Sequence, residues 1–137
     1  MERPTLSIEY LLDTCAFIFL GNAPDRLSKA QREVLQNWEN VLHISSASAY
    51  EIATKVRIGK LKLAKNTKDF WEDLVSEYEI QVHPISVEQA LAVEHLPLDF
   101  EHRDPFDRLI AGYARQEGLT VITTEEDFQY YGCRVLT

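Results

Sequence analysis

With 137 residues, 45% hydrophobic and 26% charged, the chain is sized for a single domain over residues 1–137, and its composition excludes a disordered polypeptide. The net charge of −8 excludes a protein that coats nucleic acid by general electrostatics. It does not exclude an enzyme that cuts nucleic acid, because carboxylates gathered for a metal count toward that total. The longest strongly apolar stretch, Tyr10 to Leu20, is interrupted by Asp13 and Thr14 and falls short of the roughly 18 residues a membrane span needs. No secretory pattern opens the chain, and Cys15 and Cys133 lie far apart without metal-type spacing. They read as buried thiols of a reducing compartment, which points to the cytoplasm.

Ile8 to Leu12 is a short apolar run, predicted as a buried strand that ends at Asp13. Ser28 begins a helix with Ala30, Val34, Leu35 and Trp38 at helical spacing. Val41 to Ser45 is a second strand. Ser45 or Ser46 caps a helix running to Lys60, with Ala49, Ile52, Ala53 and Val56 as its apolar stripe. Thr67 opens another helix carrying Phe70, Trp71, Leu74 and Tyr78. Ile80 to Ile85 alternates as a third strand, and Ser86 with Gln89 makes a capping box for the next helix. Asp104-Pro105 is a strong helix start, and Gly118 stops that helix after about Gln116. Leu119 to Thr123 forms a fourth strand, Glu125 to Tyr130 a helical turn, and Cys133 to Leu136 a closing strand. Strands alternating with helices predict a three-layer α/β fold on a mostly parallel sheet, with chemistry beyond the carboxyl ends of the strands.

Several acids occupy positions that the fold alone does not require. Asp13 follows the first strand, where a turn or helix cap also accounts for it. Glu51 sits at the border of a face of small and apolar residues, although a surface glutamate is the plain alternative. Asp107 shares a helix face with Ile110, Ala111 and Ala114, where a lone carboxylate is costly. Asp104 is explained as the helix cap, and the acids of Thr123-Thr124-Glu125-Glu126-Asp127 suit a helix start. Taken together, these acids gather at the ends of two strands and the inward edges of two helices. Carboxylates brought together repel unless a cation intervenes, and an all-oxygen site suits Mg²⁺ or Mn²⁺. Such an ion activates a water and stabilises the departing oxygen of a phosphodiester. Between Glu51 and Asp69 the only charged residues are Lys55, Arg57, Lys60, Lys62, Lys65 and Lys68. They form either a solvated helix end or a strip that holds substrate phosphates.

The segments Leu-Leu-Asp-Thr-Cys-Ala (11–16), Ile-Ser-Ser-Ala-Ser-Ala-Tyr-Glu-Ile-Ala (44–53) with Gly59-Lys60-Leu61, and His-Arg-Asp-Pro-Phe-Asp-Arg-Leu-Ile-Ala (102–111) resemble VapC-type PIN-domain toxins of toxin–antitoxin systems. So does Thr-Thr-Glu-Glu-Asp-Phe (123–128) with Tyr131-Gly132 and a final strand. The resemblance runs through nearly the whole chain in the right order. It implies a three-layer α/β/α PIN fold and a Mg²⁺- or Mn²⁺-dependent endoribonuclease leaving 5′-phosphate and 3′-hydroxyl ends. Asp13, Glu51 and Asp107 are then metal ligands and catalytic acids. The family's fourth acid, usually Asp, is replaced by Glu125, with Asp127 as a possible substitute. Thr14, Ser48, Thr123 and Asp104 take supporting roles, and Lys55, Arg57 and Lys60 bind substrate. The resemblance also implies an RNA substrate, a homodimer and a cognate antitoxin that covers the active-site groove.

Two other classes compete. A phosphoryl-transfer enzyme with Asp13 as nucleophile lacks its second acid: a haloacid-dehalogenase-like site wants Asp where Cys15 stands, and a response-regulator receiver wants paired acids near the start. A non-catalytic PIN-like module that binds RNA or protein is favoured only by Glu125. The four histidines, His43, His83, His95 and His102, have no zinc-type spacing. His102-Arg103 invites a substrate contact.

Overall fold

The structure, a computed structural model, describes residues 8–97 and 104–137. Five strands, β1 (Glu9–Leu12), β2 (Val41–Ser45), β3 (Gln81–His83), β4 (Thr120–Ile122) and β5 (Val135–Leu136), form one sheet in the order β3-β2-β1-β4-β5, every pair parallel. Among the described residues seven α-helices accompany them: α1 (Thr14–Asn22), α2 (Lys29–Gln36), α3 (Ser46–Arg57), α4 (Thr67–Glu77), α5 (Val87–Ala92), α6 (Pro105–Glu117) and α7 (Asp127–Tyr130). The architecture is the expected three-layer α/β/α sandwich.

Residues alternate across the central strands and so divide between two cores. Tyr10, Leu12, Leu42, Ile44 and Ile122 pack under α1, α2 and α4 with Phe17, Leu20, Leu35, Phe70 and Leu74. Leu11 and Val121 face the other way, against Ile110, Ala111, Ala114, Phe128 and Tyr131. Helix α3 serves both, with Ile52 in the first core and Ala47 in the second. The chain runs from β1 outward through β2 to β3, then returns to β4 on the other side of β1. Strand order therefore reverses between β1 and β4, and a crevice opens beyond their carboxyl ends at such a point. Asp13 and Thr123 each immediately follow one of these two strands.

Helix α1 is not foreseen by periodicity. Thr14, Ala16, Phe17, Ile18 and Leu20 are all buried, so no polar stripe marks it as a helix. Gly21 lets it approach α4 closely: a Cβ there would lie 2.5 Å from the Phe70 ring. Two predicted stripes need correction. In α2 the buried side chains are Gln31 and Leu35, while Ala30 is exposed and Trp38 lies exposed beyond the helix end; in α3, Ala53 is exposed and Ser48 and Glu51 are buried. The third strand is shorter than the alternation of residues 80–85 suggests. Most other boundaries agree within a few residues, and the caps explain why. Ser45, Asn66, Ser86 and Asp104 accept from the first-turn amides of α3, α4, α5 and α6, and Gly118 ends α6 with φ 67°. No helix among the described residues is long and apolar enough to cross a membrane.

Candidate active site

At the carboxyl ends of β1 and β4 a cleft of about 520 Å³ is lined by Thr14, Cys15, Glu51, Lys55, Asp104, Asp107, Glu125, Glu126 and Asp127. Six of those nine side chains are acids and one is a cation. Asp13 lies beneath them, 1% exposed.

Asp13 is held rigidly because it has two structural tasks. Its Oδ1 accepts the Ala16 amide at 2.7 Å as the cap of α1, and its Oδ2 accepts the Thr123 hydroxyl at 2.6 Å. Thr123 also accepts the Glu125 amide at 3.0 Å, so one buried hydroxyl ties the end of β1 to the loop after β4. The Thr123 carbonyl in turn accepts from Gln31 Nε2 at 2.9 Å, and the same amide reaches the Leu136 carbonyl at 2.8 Å. Gln31 is 1% exposed and completes the capping box of α2 with Ser28. On the other wall, Thr14 donates to Ser48 at 2.9 Å, joining α1 to α3. Ser48 thus braces the helix that carries Glu51 through Thr14.

Glu51 is the electrostatic oddity. It is buried; its Oε2 meets Lys55 Nζ at 3.0 Å, and its Oε1 has no hydrogen-bond partner. Asp104 caps α6 by accepting the Phe106 and Asp107 amides at 2.8 and 3.1 Å. This aims the first turn of α6, and with it Asp107, into the cleft. Asp107, Glu125 and Asp127 each offer an oxygen within 4.8 Å of the others. Cys15 Sγ–H donates to Glu125 Oε1 at 3.2 Å.

Crowded, buried carboxylates resist ionisation. Burial first, then the charges of Asp104, Glu125, Asp13 and Glu51, push Asp107 up to about 8. Burial lifts Asp13 to about 7 against the opposing hydrogen bonds from Thr123 and Ala16, helped by the charges of Glu125 and Glu51. Burial first, then the charges of Asp13 and Glu125, raise the Cys15 thiol and keep it protonated. For Lys55, burial works against the charge, but the hydrogen bond and charge of Glu51 outweigh it and hold the ammonium above its usual value. A site whose acids are this reluctant to ionise together is one that a cation relieves. The undonated oxygen of Glu51 and the all-oxygen set Asp107, Glu125 and Asp127 fit a hard divalent ion.

The family model described as PIN domain matches residues 10–132. The chain belongs to the PIN domain family. Comparison with curated protein sequences gives no match. Among solved structures, this PIN domain is similar to VapBC2 from Rickettsia felis bound to a DNA fragment from its promoter (TM-score 0.68, 18% identity, 94% of this chain and 98% of that one). It is also similar to DNA-bound VapBC from Salmonella typhimurium (TM-score 0.64, 20% identity, 94% and 97%). A toxin–antitoxin complex from Klebsiella pneumoniae gives a TM-score of 0.61 at 20% identity over 93% and 96%. At these identities the likeness speaks for the fold.

The PIN domain brings Asp13, Glu51, Asp107, Glu125 and the supporting Thr14, Ser48, Thr123, Asp104 and Asp127 together as one constellation. The tightest oxygen set differs from the expected one: it is Asp107, Glu125 and Asp127, whereas Asp13 is engaged with Thr123 and Glu51 with Lys55. Of the basic strip, Lys55 lines the cleft, and Arg57 and Lys60 do not. Lys65 and Lys68 pair with Asp73 and Glu72 of α4, as a solvated strip would. His102 and Arg103 lie outside the described residues. Two contributors escaped the sequence reading. Cys15 is half-buried in the cleft wall beside Glu125. Gln31 anchors the Thr123 loop, and its signal is the Ser-x-x-Gln spacing from Ser28. The histidines also hold a surprise away from the site: His43 shares a 2.6 Å hydrogen bond with His83 and a 2.8 Å one with Glu9.

Proposed function

We propose that this PIN domain is a Mg²⁺- or Mn²⁺-dependent endoribonuclease of the VapC type, the toxin of a toxin–antitoxin pair. The single observation that carries the reading is the convergence of Asp13, Glu51, Asp107, Glu125 and Asp127 on one open cleft, with Asp13 and Asp107 pushed far above the ordinary carboxylate range. Acids arranged for stability alone are not stacked against one another where burial opposes their charge. Asp107, Glu125 and Asp127 would hold the ion, with Asp13 and Glu51 supplying further negative charge at its border. When bound, a divalent ion acidifies a nearby water and offsets the charge that builds on a phosphodiester.

The protein's own groups orient this chemistry. Thr123 fixes Asp13 and the Glu125 backbone, Thr14 and Ser48 fix the α1–α3 wall, and Asp104 fixes the first turn of α6. Lys55 lines the cleft where a backbone phosphate of RNA would meet a positive charge, and Arg57 and Lys60, outside the cleft at and beyond the end of α3, would meet phosphates farther along the strand. The partners that accompany this reading are a second copy of the chain and a cognate antitoxin, consistent with the toxin–antitoxin complexes that share the fold, and its compartment is the cytoplasm.

The test is incubation of the purified chain with a mixed-sequence single-stranded RNA in Mn²⁺ or Mg²⁺. Cleavage that EDTA stops and that Asp13→Asn loses supports the reading. RNA left intact by the wild type in both metals argues for a non-catalytic binding module instead.

A further inference from the structure

We propose that the Lys55 ammonium is a resident cation of the acidic cleft that stands where a second metal ion would sit, so that the site takes one divalent ion, on Asp107, Glu125 and Asp127. This role rests on the metal-dependent nuclease reading above and specifies the cation count of that same site.

The acids of the cleft divide into two groups. In the first, Asp107, Glu125 and Asp127 offer oxygens within 4.8 Å of one another. Ligand oxygens on opposite sides of a Mg²⁺ ion lie about 4.2 Å apart, so a small contraction closes this set around one ion. The second group is centred on Glu51. Its side chain is 9% exposed and lines the cleft; one oxygen takes Lys55 at 3.0 Å and the other is buried without a hydrogen-bond partner. Among the described residues that line the cleft, Lys55 is the one cationic side chain.

An exposed Glu–Lys pair one turn apart on a helix is worth little and exchanges readily with water. This pair is different, because the Lys55 side chain is 35% exposed and that of Glu51 9%. Removing the ammonium would leave a buried carboxylate uncompensated beside Asp13 and Asp107, whose ionisation its charge already opposes. A divalent ion entering at Glu51 would have to displace the ammonium from its carboxylate or accept its repulsion at contact, whereas an ion at Asp107, Glu125 and Asp127 leaves the Glu51–Lys55 pair in place. An ammonium has three donors and spends one on Glu51, which leaves donors for a phosphate oxygen of the substrate. The second positive charge that many phosphodiester-cleaving sites draw from a second metal is here carried by the protein.

The experiment counts Mn²⁺ bound per chain, by isothermal titration calorimetry with free Mn²⁺ followed by electron paramagnetic resonance, for wild type, Lys55→Arg and Lys55→Met. One ion in wild type and Lys55→Arg, and a second, weaker ion in Lys55→Met, is the expected result. Two ions in wild type, or still one in Lys55→Met, overturns the role of Lys55 while leaving the metal-dependent reading intact. No Mn²⁺ bound by any of the three overturns both. Should Lys55→Met fail to fold, Lys55→Gln is read in its place, and the wild-type count alone retains the power to refute.

Discussion

Replacing Asp107 by Asn should make the metal-free protein more stable and the metal-loaded protein less so. The carboxyl of Asp107 is shifted from the ordinary 3.8 to about 8 by burial and by four neighbouring acids. That is roughly four pH units, and at about 1.4 kcal/mol per unit the ionised group opposes folding by about 6 kcal/mol. Water entering the open cleft and side-chain rearrangement relieve part of this, so a net gain of about 1–3 kcal/mol is the reasonable expectation at pH 8.5 in EDTA. For a chain of this size it corresponds to roughly 3–10 °C in Tm. Saturating Mn²⁺ at about a hundredfold over its Kd should stabilise wild type by about 2.7 kcal/mol, and Asp107→Asn by much less. Differential scanning fluorimetry in EDTA and in Mn²⁺ reads both effects. A variant that melts below wild type in EDTA, or that responds to Mn²⁺ as wild type does, refutes the reasoning.

Stability should also follow pH in a direction set by these acids. Asp13 and Asp107 titrate near 7 and 8 in the folded chain and near 3.8 when free, so protonation favours folding. Their contribution is complete below about pH 4 and is lost as pH climbs through 7 to 8. Metal-free wild type should therefore melt higher at pH 6 than at pH 8.5, and an Asp13→Asn/Asp107→Asn double variant should lose most of that difference. Thr123→Val removes the hydroxyl that serves both Asp13 and the Glu125 amide; a loss of about 1–3 kcal/mol in urea unfolding and a fall in cleavage rate are expected. Gln31→Leu strands the buried Thr123 carbonyl and leaves the Leu136 carbonyl with the Thr123 amide alone, and should destabilise by about 1–3 kcal/mol in the same assay.

The parts of this fold that were legible in the sequence are those with local chemistry. Asp104-Pro105 and Gly118 bracket α6 because a cap, a fixed φ and a left-handed stop are properties of single residues. Asp107 stood out because an acid on the stripe of Ile110, Ala111 and Ala114 has no cheap structural explanation. Helix α1 stayed hidden because burial on nearly all sides erases the 3.6-residue period that reveals a helix. Gln31 was hidden for a related reason: a buried polar side chain looks like a surface one until its partners, the carbonyls of Thr123 and Leu136, arrive from elsewhere in the chain. The order of acids around the cleft is likewise tertiary. Asp107, Glu125 and Asp127 bring their oxygens within 4.8 Å of one another because α6 packs against the segment after β4, which no local pattern reveals.

The central claim is that these carboxylates converge to hold a catalytic divalent ion. Its most direct test is anomalous diffraction from crystals of the protein grown with Mn²⁺. The account predicts an anomalous peak between Asp107, Glu125 and Asp127, absent from Asp107→Asn crystals. No peak in the cleft at saturating Mn²⁺, or a peak only at acids elsewhere on the surface, would contradict it.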